Sequence, residues 1–126
     1  SIMADDLQRK GMELRTQLFG EKAAKAGHEY LKGFDEDFAN FLNEQVFGAI
    51  WTRPGLPTKT RSFITMAALM ALGRAPELKI HMRGALNLGI SKDEIKELII
   101  HLSQYSGVPT AVEAIRTLRE VTEPKK

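Results

Sequence analysis

The sequence predicts an all-α fold in a single domain of about six helices, and three observations support this prediction. The 126-residue chain is 43% hydrophobic and 27% charged, which is typical of one globular domain with its own core. Apolar residues recur at spacings of three and four, the period of an amphipathic helix. Glycines and prolines separate these periodic segments, and none alternates as a strand does. We therefore expect one domain over residues 1–126, with frayed ends at 1–4 and 123–126.

The first half of the chain contains two predicted helices with a less regular segment between them. The first runs from about Asp5 to Leu18 and ends at Gly20, and its acidic start suits the positive end of a helix dipole. Segment 21–33 predicts at most one short helix. The second clear helix begins near Asp35 and carries one apolar stripe. That stripe consists of Phe38, Phe41, Leu42, Val46, Phe47 and Ile50.

A stiff loop and a strongly apolar helix come next. The segment from Trp51 to Pro57 contains two prolines and a glycine, which cannot continue a helix. Thr58 can cap the helix that follows. Residues 63–72 place apolar side chains at every angle around the axis, so we expect a core helix that is buried on nearly all sides.

Three more helices are predicted in the rest of the chain. Pro76 suits the first turn of a helix that ends at Gly89. Ser91 and Glu94 have the spacing of a capping box, in which each side chain accepts a hydrogen bond from the other residue's amide. They begin a helix that ends before Gly107. The last helix is expected to turn four apolar residues inward, namely Val112, Ile115, Leu118 and Val121.

Composition and charge argue against several classes of function. The net charge is only +2 and the basic residues are dispersed among acidic ones, so we expect no nucleic-acid partner. The chain has no cysteine, which excludes disulfides and thiolate chemistry, and its histidines lack metal-ligand spacing. We expect a cytoplasmic protein without membrane contact, since the start is acidic and no apolar run approaches about 20 residues.

The first candidate group for chemistry is Arg74, Glu77 and His81. Glu77 and His81 are four residues apart on one helix face, where a carboxylate favours the charged imidazolium and orients it. Arg74 and the helix N-terminus add positive potential for an anionic substrate. Spacing alone nevertheless favours an ordinary surface pair over a functional one.

Two further groups are candidates. His101 and Tyr105 are four residues apart, and either can protonate a carbanion or hydrogen-bond an oxyanion, although a packed tyrosine and a solvent-facing histidine are the simpler interpretation. Trp51 lies near Arg53 and Arg61, whose guanidinium groups suit carboxylates. The alternative, a core tryptophan with ion-paired arginines, stays open.

A set of short segments matches, in order and spacing, the pattern of one protein family. They are Ile50–Leu56, Thr60–Ser62, Ala71–Arg74, Glu77–Leu78, His81–Asn87, Gly89, Glu94–Glu97 and Tyr105–Pro109. On these segments the chain resembles the carboxymuconolactone decarboxylase family, within the alkylhydroperoxidase D-like superfamily. The resemblance runs from about Gly11 to Val121. It implies an alkylhydroperoxidase D-like helical bundle that assembles into trimers or hexamers, with an active site near a subunit interface.

The resemblance also separates two chemistries. The redox branch of the superfamily carries cysteines at the positions of Arg74 and Glu77 and a glutamate at Ser62, so thiol peroxidase activity is excluded here. The decarboxylase branch has Arg, Glu and His at 74, 77 and 81, as this chain does. The resemblance thus implies loss of carbon dioxide from 4-carboxymuconolactone, or a related small unsaturated lactone acid of aromatic-compound catabolism, without a cofactor.

On this resemblance we assign roles to the candidate residues. His81, oriented by Glu77, is the expected acid or oxyanion donor, and His101 is the alternative proton donor. The remaining residues are expected to bind the carboxylate substrate or shape its pocket. They are Arg74, Arg53, Arg61, Trp51, Tyr105 and His101.

Four positions depart from the family pattern. Decarboxylating members often have an acidic residue at the position of Ala49, an aspartate at Pro57, and asparagines at Leu88 and Val112. These departures leave two alternatives, a member that acts on a different, more apolar substrate and a non-catalytic oligomeric binding protein. Apart from the family, the apolar faces exceed what one small bundle covers, so we expect a homo-oligomer.

Overall fold

Seven α-helices, with no strand among the described residues 1–124, make up the computed structural model of the protein. They are α1 (Ile2–Phe19), α2 (Glu21–Phe34), α3 (Glu36–Leu42), α4 (Thr58–Ala71), α5 (Ala75–Asn87), α6 (Lys92–Ser106) and α7 (Val108–Thr122). A π-helical segment, Asn43–Ile50, continues α3. The all-α prediction is confirmed. The chain divides into two compact units, an N-terminal unit (Ser1–Thr58) and a C-terminal unit (Lys59–Lys126).

The first two helices of the N-terminal unit are longer than predicted. The Ser1 side chain accepts a hydrogen bond from the Ala4 amide at 3.1 Å, so α1 begins at Ile2 rather than near Asp5. Gly20 has φ 87°, a conformation that glycine adopts without strain, and separates α1 from α2. Segment 21–33 belongs to a full helix of 14 residues, Glu21–Phe34, rather than to a short one. Only Ala24 of this helix is buried.

The predicted helix from Asp35 to Ile50 is present, but its second half is π-helical. Asp35 caps α3 by accepting a hydrogen bond from the Phe38 amide at 2.8 Å. At the other end the Trp51 amide donates to the Val46 carbonyl, five residues earlier, at 3.0 Å. The spacing of three and four does not describe this segment, and part of the predicted apolar stripe is exposed. The exposed members are Phe38, Phe41, Val46 and Ile50.

Backbone contact between α1 and the π-helix explains this geometry. A Cβ atom on Gly48 would collide with the carbonyl oxygen of Leu7, and one on Gly11 would collide with the carbonyl oxygen of Asn43. The buried Asn43 side chain donates to the backbone oxygen of Gln8 at 3.0 Å. The two segments are therefore fixed to each other by small residues and a buried amide.

The core of the C-terminal unit is apolar and takes side chains from all four of its helices. Its buried members are Met66, Met70, Leu78, Met82, Ala85, Ile90, Ile95, Ile99, Ala111, Ala114 and Leu118. The expectation that α4 is buried on nearly all sides is wrong. Its buried residues, Ser62, Met66 and Met70, form one stripe, whereas Ile64 is 53% exposed. Apolar composition does not fix how many neighbours surround a helix.

The termini of α5 to α7 largely follow the sequence signals. Gly89 and Gly107 have φ 86° and 95°, and the Ser91 and Glu94 capping box is confirmed with both hydrogen bonds at 3.0 Å. The inward face of α7 is shifted from the prediction, since Val112 is exposed.

The buried face of α7 consists of Ala111, Ala114, Thr117 and Leu118, whereas Ile115, like Val112, is exposed. The inward prediction is confirmed for Leu118, and Val121 is partly buried. The other three buried residues are small and allow the neighbouring helices to approach closely. Of the predicted frayed tail, Glu123 and Pro124 follow α7, and residues 125–126 lie outside the described residues. Within the described part of the chain, no helix is both long enough and apolar enough to cross a membrane.

Candidate active site

Trp51 and Arg53 line a groove in the N-terminal unit. The groove has a volume of about 460 Å³, and we call it the tryptophan groove. The loop after the π-helix forms one side with Trp51, Thr52, Arg53, Pro54, Leu56, Pro57 and Thr58, and α1 forms the other side with Lys10, Glu13, Leu14 and Gln17. Trp51 is 8% exposed, whereas Arg53 is exposed. The groove therefore has a rigid aromatic residue and charged groups at its rim.

Arg74 and Glu77 form an ion pair at the start of α5. Arg74 Nη2 lies 3.1 Å from Glu77 Oε1, and both side chains are partly exposed. The backbone N–H of Glu77 itself, and then Arg74, hold the pKa of this carboxyl below its usual range. The carboxylate is thus charged at neutral pH and lies at the positive end of a helix.

His81 lies one turn further along α5 and is half-buried. Burial lowers the pKa of its imidazole, which favours the neutral ring at neutral pH. Burial thus acts against the charged imidazolium that the spacing of Glu77 and His81 favours. A neutral imidazole can still donate one N–H hydrogen bond and accept another. His81 lies at the flank of the buried stripe that Leu78, Met82 and Ala85 form on α5.

His101 and Tyr105 contact each other on α6. Their ring centroids are 5.3 Å apart with an interplanar angle of 32°. Tyr105 is 78% exposed, so the alternative of a packed tyrosine is wrong, while the solvent-facing histidine is confirmed. His101 also lines a mainly apolar groove of about 530 Å³ between α4 and α6. Its other lining residues are Phe63, Ile64, Ala67, Glu94, Glu97, Leu98 and Leu102.

Arg61 lies on α4 rather than on the loop that carries Trp51 and Arg53. Its side chain is half-buried, and its backbone oxygen accepts a hydrogen bond from the Thr65 hydroxyl at 2.8 Å. The next residue, Ser62, is buried, and its hydroxyl oxygen has no hydrogen-bond partner within residues 1–124. Six of the eight predicted residues thus occur as three local pairs, Trp51 with Arg53, Arg74 with Glu77, and His101 with Tyr105. The other two, Arg61 and His81, lie on α4 and α5.

Sequence reasoning missed the wall that α1 gives to the tryptophan groove. Lys10, Glu13, Leu14 and Gln17 recur at spacings of three and four, which places them on one helix face. The spacing signals that face, but it does not identify what the face contacts. Among the described residues, no group of three or more histidines and acidic residues could hold a metal ion.

Comparison with known proteins identifies the family. The sequence model of the carboxymuconolactone decarboxylase family matches residues 36–120, more than half of the chain. The chain belongs to the carboxymuconolactone decarboxylase family. It is 46% identical over 113 residues to 4-carboxymuconolactone decarboxylase of Acinetobacter baylyi, covering 90% of this chain and 84% of that one.

Two further relatives show the spread of the family. The chain is 30% identical over 115 residues to nitrosuccinic acid decarboxylase of Metarhizium robertsii, covering 88% of this chain and 80% of that one. It is 35% identical over 112 residues to an uncharacterized 15.0 kDa protein of Paracoccus denitrificans, covering 81% of this chain and 84% of that one. The relatives whose names state an activity are decarboxylases that differ in their substrate.

Proposed function

We propose that this member of the carboxymuconolactone decarboxylase family is a cofactor-free carboxy-lyase that removes carbon dioxide from 4-carboxymuconolactone, or from a closely related unsaturated lactone acid of aromatic-compound catabolism. The observation that carries the proposal is the 46% identity to 4-carboxymuconolactone decarboxylase over 90% of the chain. Three residues of the resemblance lie close together in the chain, Arg74 at the N-cap of α5 and Glu77 and His81 in its first two turns.

The chemistry requires few groups. When the carboxylate leaves as carbon dioxide, the electrons of the broken carbon–carbon bond move through the unsaturated lactone to its carbonyl oxygen. A donor must stabilise that oxyanion, and an acid must then return one proton to carbon. The substrate carries its own electron sink, so the reaction needs donors, a proton and carboxylate recognition.

We assign stabilisation of the developing oxyanion to the imidazole of His81. A neutral imidazole offers an N–H to a developing oxyanion, and the lowered pKa of His81 favours that form before substrate binds. An anionic substrate raises the pKa of a nearby imidazole, which would supply the proton at the stage when it is needed. Arg74, held by Glu77 at 3.1 Å, and Arg61 are assigned to substrate carboxylates.

The other predicted residues have supporting roles in the proposal. On the resemblance, Trp51 and Arg53, which line the tryptophan groove, are assigned to substrate binding, and Tyr105 is assigned to shaping the environment of His101. His101 remains the alternative proton donor, since it lines a groove whose apolar wall strengthens hydrogen bonds to charged groups.

A second substrate is favoured by a specific observation. The relative that is 30% identical is named for nitrosuccinic acid, so the family scaffold is not tied to one acid. Pro57, where an aspartate is expected, lines the tryptophan groove. Loss of a carboxylate at that position changes the charge of the groove, which favours a related but different acid as the alternative substrate.

The proposal includes assembly into a homo-oligomer, a trimer or a hexamer. Support comes from large apolar side chains that the chain leaves exposed, among them Ile64 on α4, Leu72 directly after α4 and Val112 on α7. Exposed apolar area of this kind is typical of an interface. Light scattering at micromolar concentration is expected to give three or six times the chain mass of 14.1 kDa, and a monomer would contradict this part of the proposal.

Turnover tests the proposal. We would generate 4-carboxymuconolactone in situ with its cycloisomerase, add the purified protein, and follow carbon dioxide release and enol-lactone formation against a blank without protein. Acceleration over the blank is the expected result. A folded protein that gives none would overturn the substrate assignment, and the same assay with nitrosuccinate would then test the alternative.

A further inference from the structure

A groove between α6 and α7 is not lined by any residue that the proposed function uses. It lies wholly within the C-terminal unit and has a volume of about 410 Å³, which is large enough for a small organic ligand. We call it the α6–α7 groove. Helix α6 contributes Lys92, Lys96, Ile99 and Ile100 to its lining, and α7 contributes Ile115, Leu118 and Arg119, with Glu123 directly after the helix.

Four large aliphatic side chains form the floor and walls of this groove. Ile99 and Leu118 belong to the buried core of the C-terminal unit. Ile100 and Ile115, in contrast, are 54% and 42% exposed. A ligand with an apolar body would remove their exposed area from water, which is favourable.

The polar rim of the groove is mainly cationic. Lys92, Lys96 and Arg119 line it together with one carboxylate, that of Glu123, which already pairs with Arg119 at 3.6 Å. Within residues 1–124, neither Lys92 nor Lys96 has an ion-pair partner. Two ammonium groups at the rim are therefore available to an anion.

The carboxylates of α6 lie on another side of the helix. Glu94 and Glu97 line the groove between α4 and α6, and Glu94 also accepts a hydrogen bond from the Ser91 amide. Positions 92, 96, 99 and 100 share one face because residues three and four apart are neighbours on a helix. Helix α6 thus separates an acidic rim from a basic one, and the α6–α7 groove has the basic rim.

Lys92 and Lys96 occupy positions where positive charge is locally unfavourable. Lys92 is the first residue of α6, where the positive end of the helix dipole favours acidic residues such as the neighbouring Asp93. Lys96 follows four residues later, a spacing at which like charges repel each other. Residues that break a local rule of this kind are expected where a protein binds a ligand.

We propose that the α6–α7 groove binds a monocarboxylate of the medium-chain fatty acid class, whose carboxylate contacts Lys92 and Lys96 and whose chain lies against Ile100 and Ile115. Positions 92 and 100 are separated along α6 by about 12 Å, which is similar to the length of extended octanoate. The site goes beyond the proposed function and does not depend on it.

Isothermal titration calorimetry of the full-length protein with octanoate tests this proposal, with 1-octanol and butyrate as comparison ligands. 1-Octanol keeps the chain and lacks the charge, whereas butyrate keeps the charge and lacks half of the chain. Wild-type protein is expected to bind octanoate saturably. It should bind 1-octanol at least about threefold more weakly and butyrate at least about tenfold more weakly.

The double variant Lys92→Met/Lys96→Met removes both charges and keeps the length of the side chains. It should bind octanoate about three- to tenfold more weakly than wild type, and 1-octanol at least as tightly. Because it also removes the local repulsion, its midpoint of urea unfolding should be no lower than that of wild type. Lys22→Met/Lys25→Met is the matched control, since both lysines are exposed on α2 and outside the groove, and it should bind octanoate as wild type does.

Any of three results would overturn the inference. The first is a wild-type protein that does not bind octanoate saturably, which is the result expected if a second copy of the chain covers the groove. The second is equal binding of octanoate and 1-octanol by wild type. The third is a double variant that binds octanoate as tightly as wild type or as the control variant does. None of these measurements involves turnover, so they test the groove separately from the proposed function.

Discussion

Gly48→Ala tests the backbone contact that fixes the tryptophan groove. The added Cβ has no room, because it meets the backbone carbonyl oxygen of Leu7, which cannot rotate away as a side chain could. Overpacking of this kind costs about 1–3 kcal/mol. The higher helix propensity of alanine offsets up to about 1 kcal/mol of that cost. We expect a net loss of about 1–2 kcal/mol in the free energy of unfolding.

Gly33→Ala is the matched control. Gly33 is also helical, on α2, but a Cβ there meets no atom within 4 Å. The same substitution should therefore stabilise the protein by up to about 1 kcal/mol. Each variant adds one methyl group to the wild-type protein. The difference between their free energies of unfolding therefore isolates the contact with α1.

Urea unfolding followed by circular dichroism measures both variants. With a slope of about 1–3 kcal/mol per molar urea, the two midpoints should lie about 1 M apart, with Gly48→Ala the lower. Trp51 lies three residues after Gly48, so its fluorescence should also change in the folded Gly48→Ala variant. Equal midpoints for the two variants would refute the close approach of α1 to the π-helix.

Two further predictions concern the helix cap and the histidines. Ser91→Ala removes the side-chain acceptor for the Glu94 amide, 3.0 Å away, and should lower the free energy of unfolding by about 1 kcal/mol, while Ser103→Ala, inside the same helix, should cost less. Burial lowers the pKa of both His28 and His81, and the charge of Arg15 lowers that of His28 further. Below about pH 6.5 the unfolded chain therefore binds more protons than the folded protein does. The contribution of these histidines to the free energy of unfolding should then be full above about pH 6.5 and should fall as the pH drops through the folded pKa values. Chemical unfolding measures this. A free energy of unfolding that does not change over this pH range, or a pH dependence that His28→Gln leaves unchanged, would contradict the prediction.

The helix boundaries were predictable wherever a local signal was sufficient. Gly20, Gly89 and Gly107 have positive φ at the predicted helix ends, and the capping box at Ser91 forms as expected. Each of these features depends on a few adjacent residues, so it can be inferred from the sequence alone. Burial of α4 and α7 was not predictable in the same way, since it depends on which neighbours each helix meets.

The π-helix and the direction of the His81 pKa required the structure. An apolar spacing of three and four indicates a helix, but it does not reveal that Gly48 must accept the backbone of α1. Spacing also placed Glu77 beside His81, whereas the depth of burial that lowers the pKa of the imidazole depends on tertiary packing. The residue types of the candidate site were visible in the sequence, and their electrostatic state was not.

Turnover of 4-carboxymuconolactone by His81→Ala and His101→Ala, compared with wild type, tests the central claim most directly. We expect kcat to fall at least about 100-fold in His81→Ala, because the variant lacks the donor to the oxyanion, while circular dichroism shows it folded. His101→Ala should keep kcat within about tenfold of wild type. Unchanged turnover in His81→Ala, or the large loss appearing in His101→Ala instead, would contradict the account.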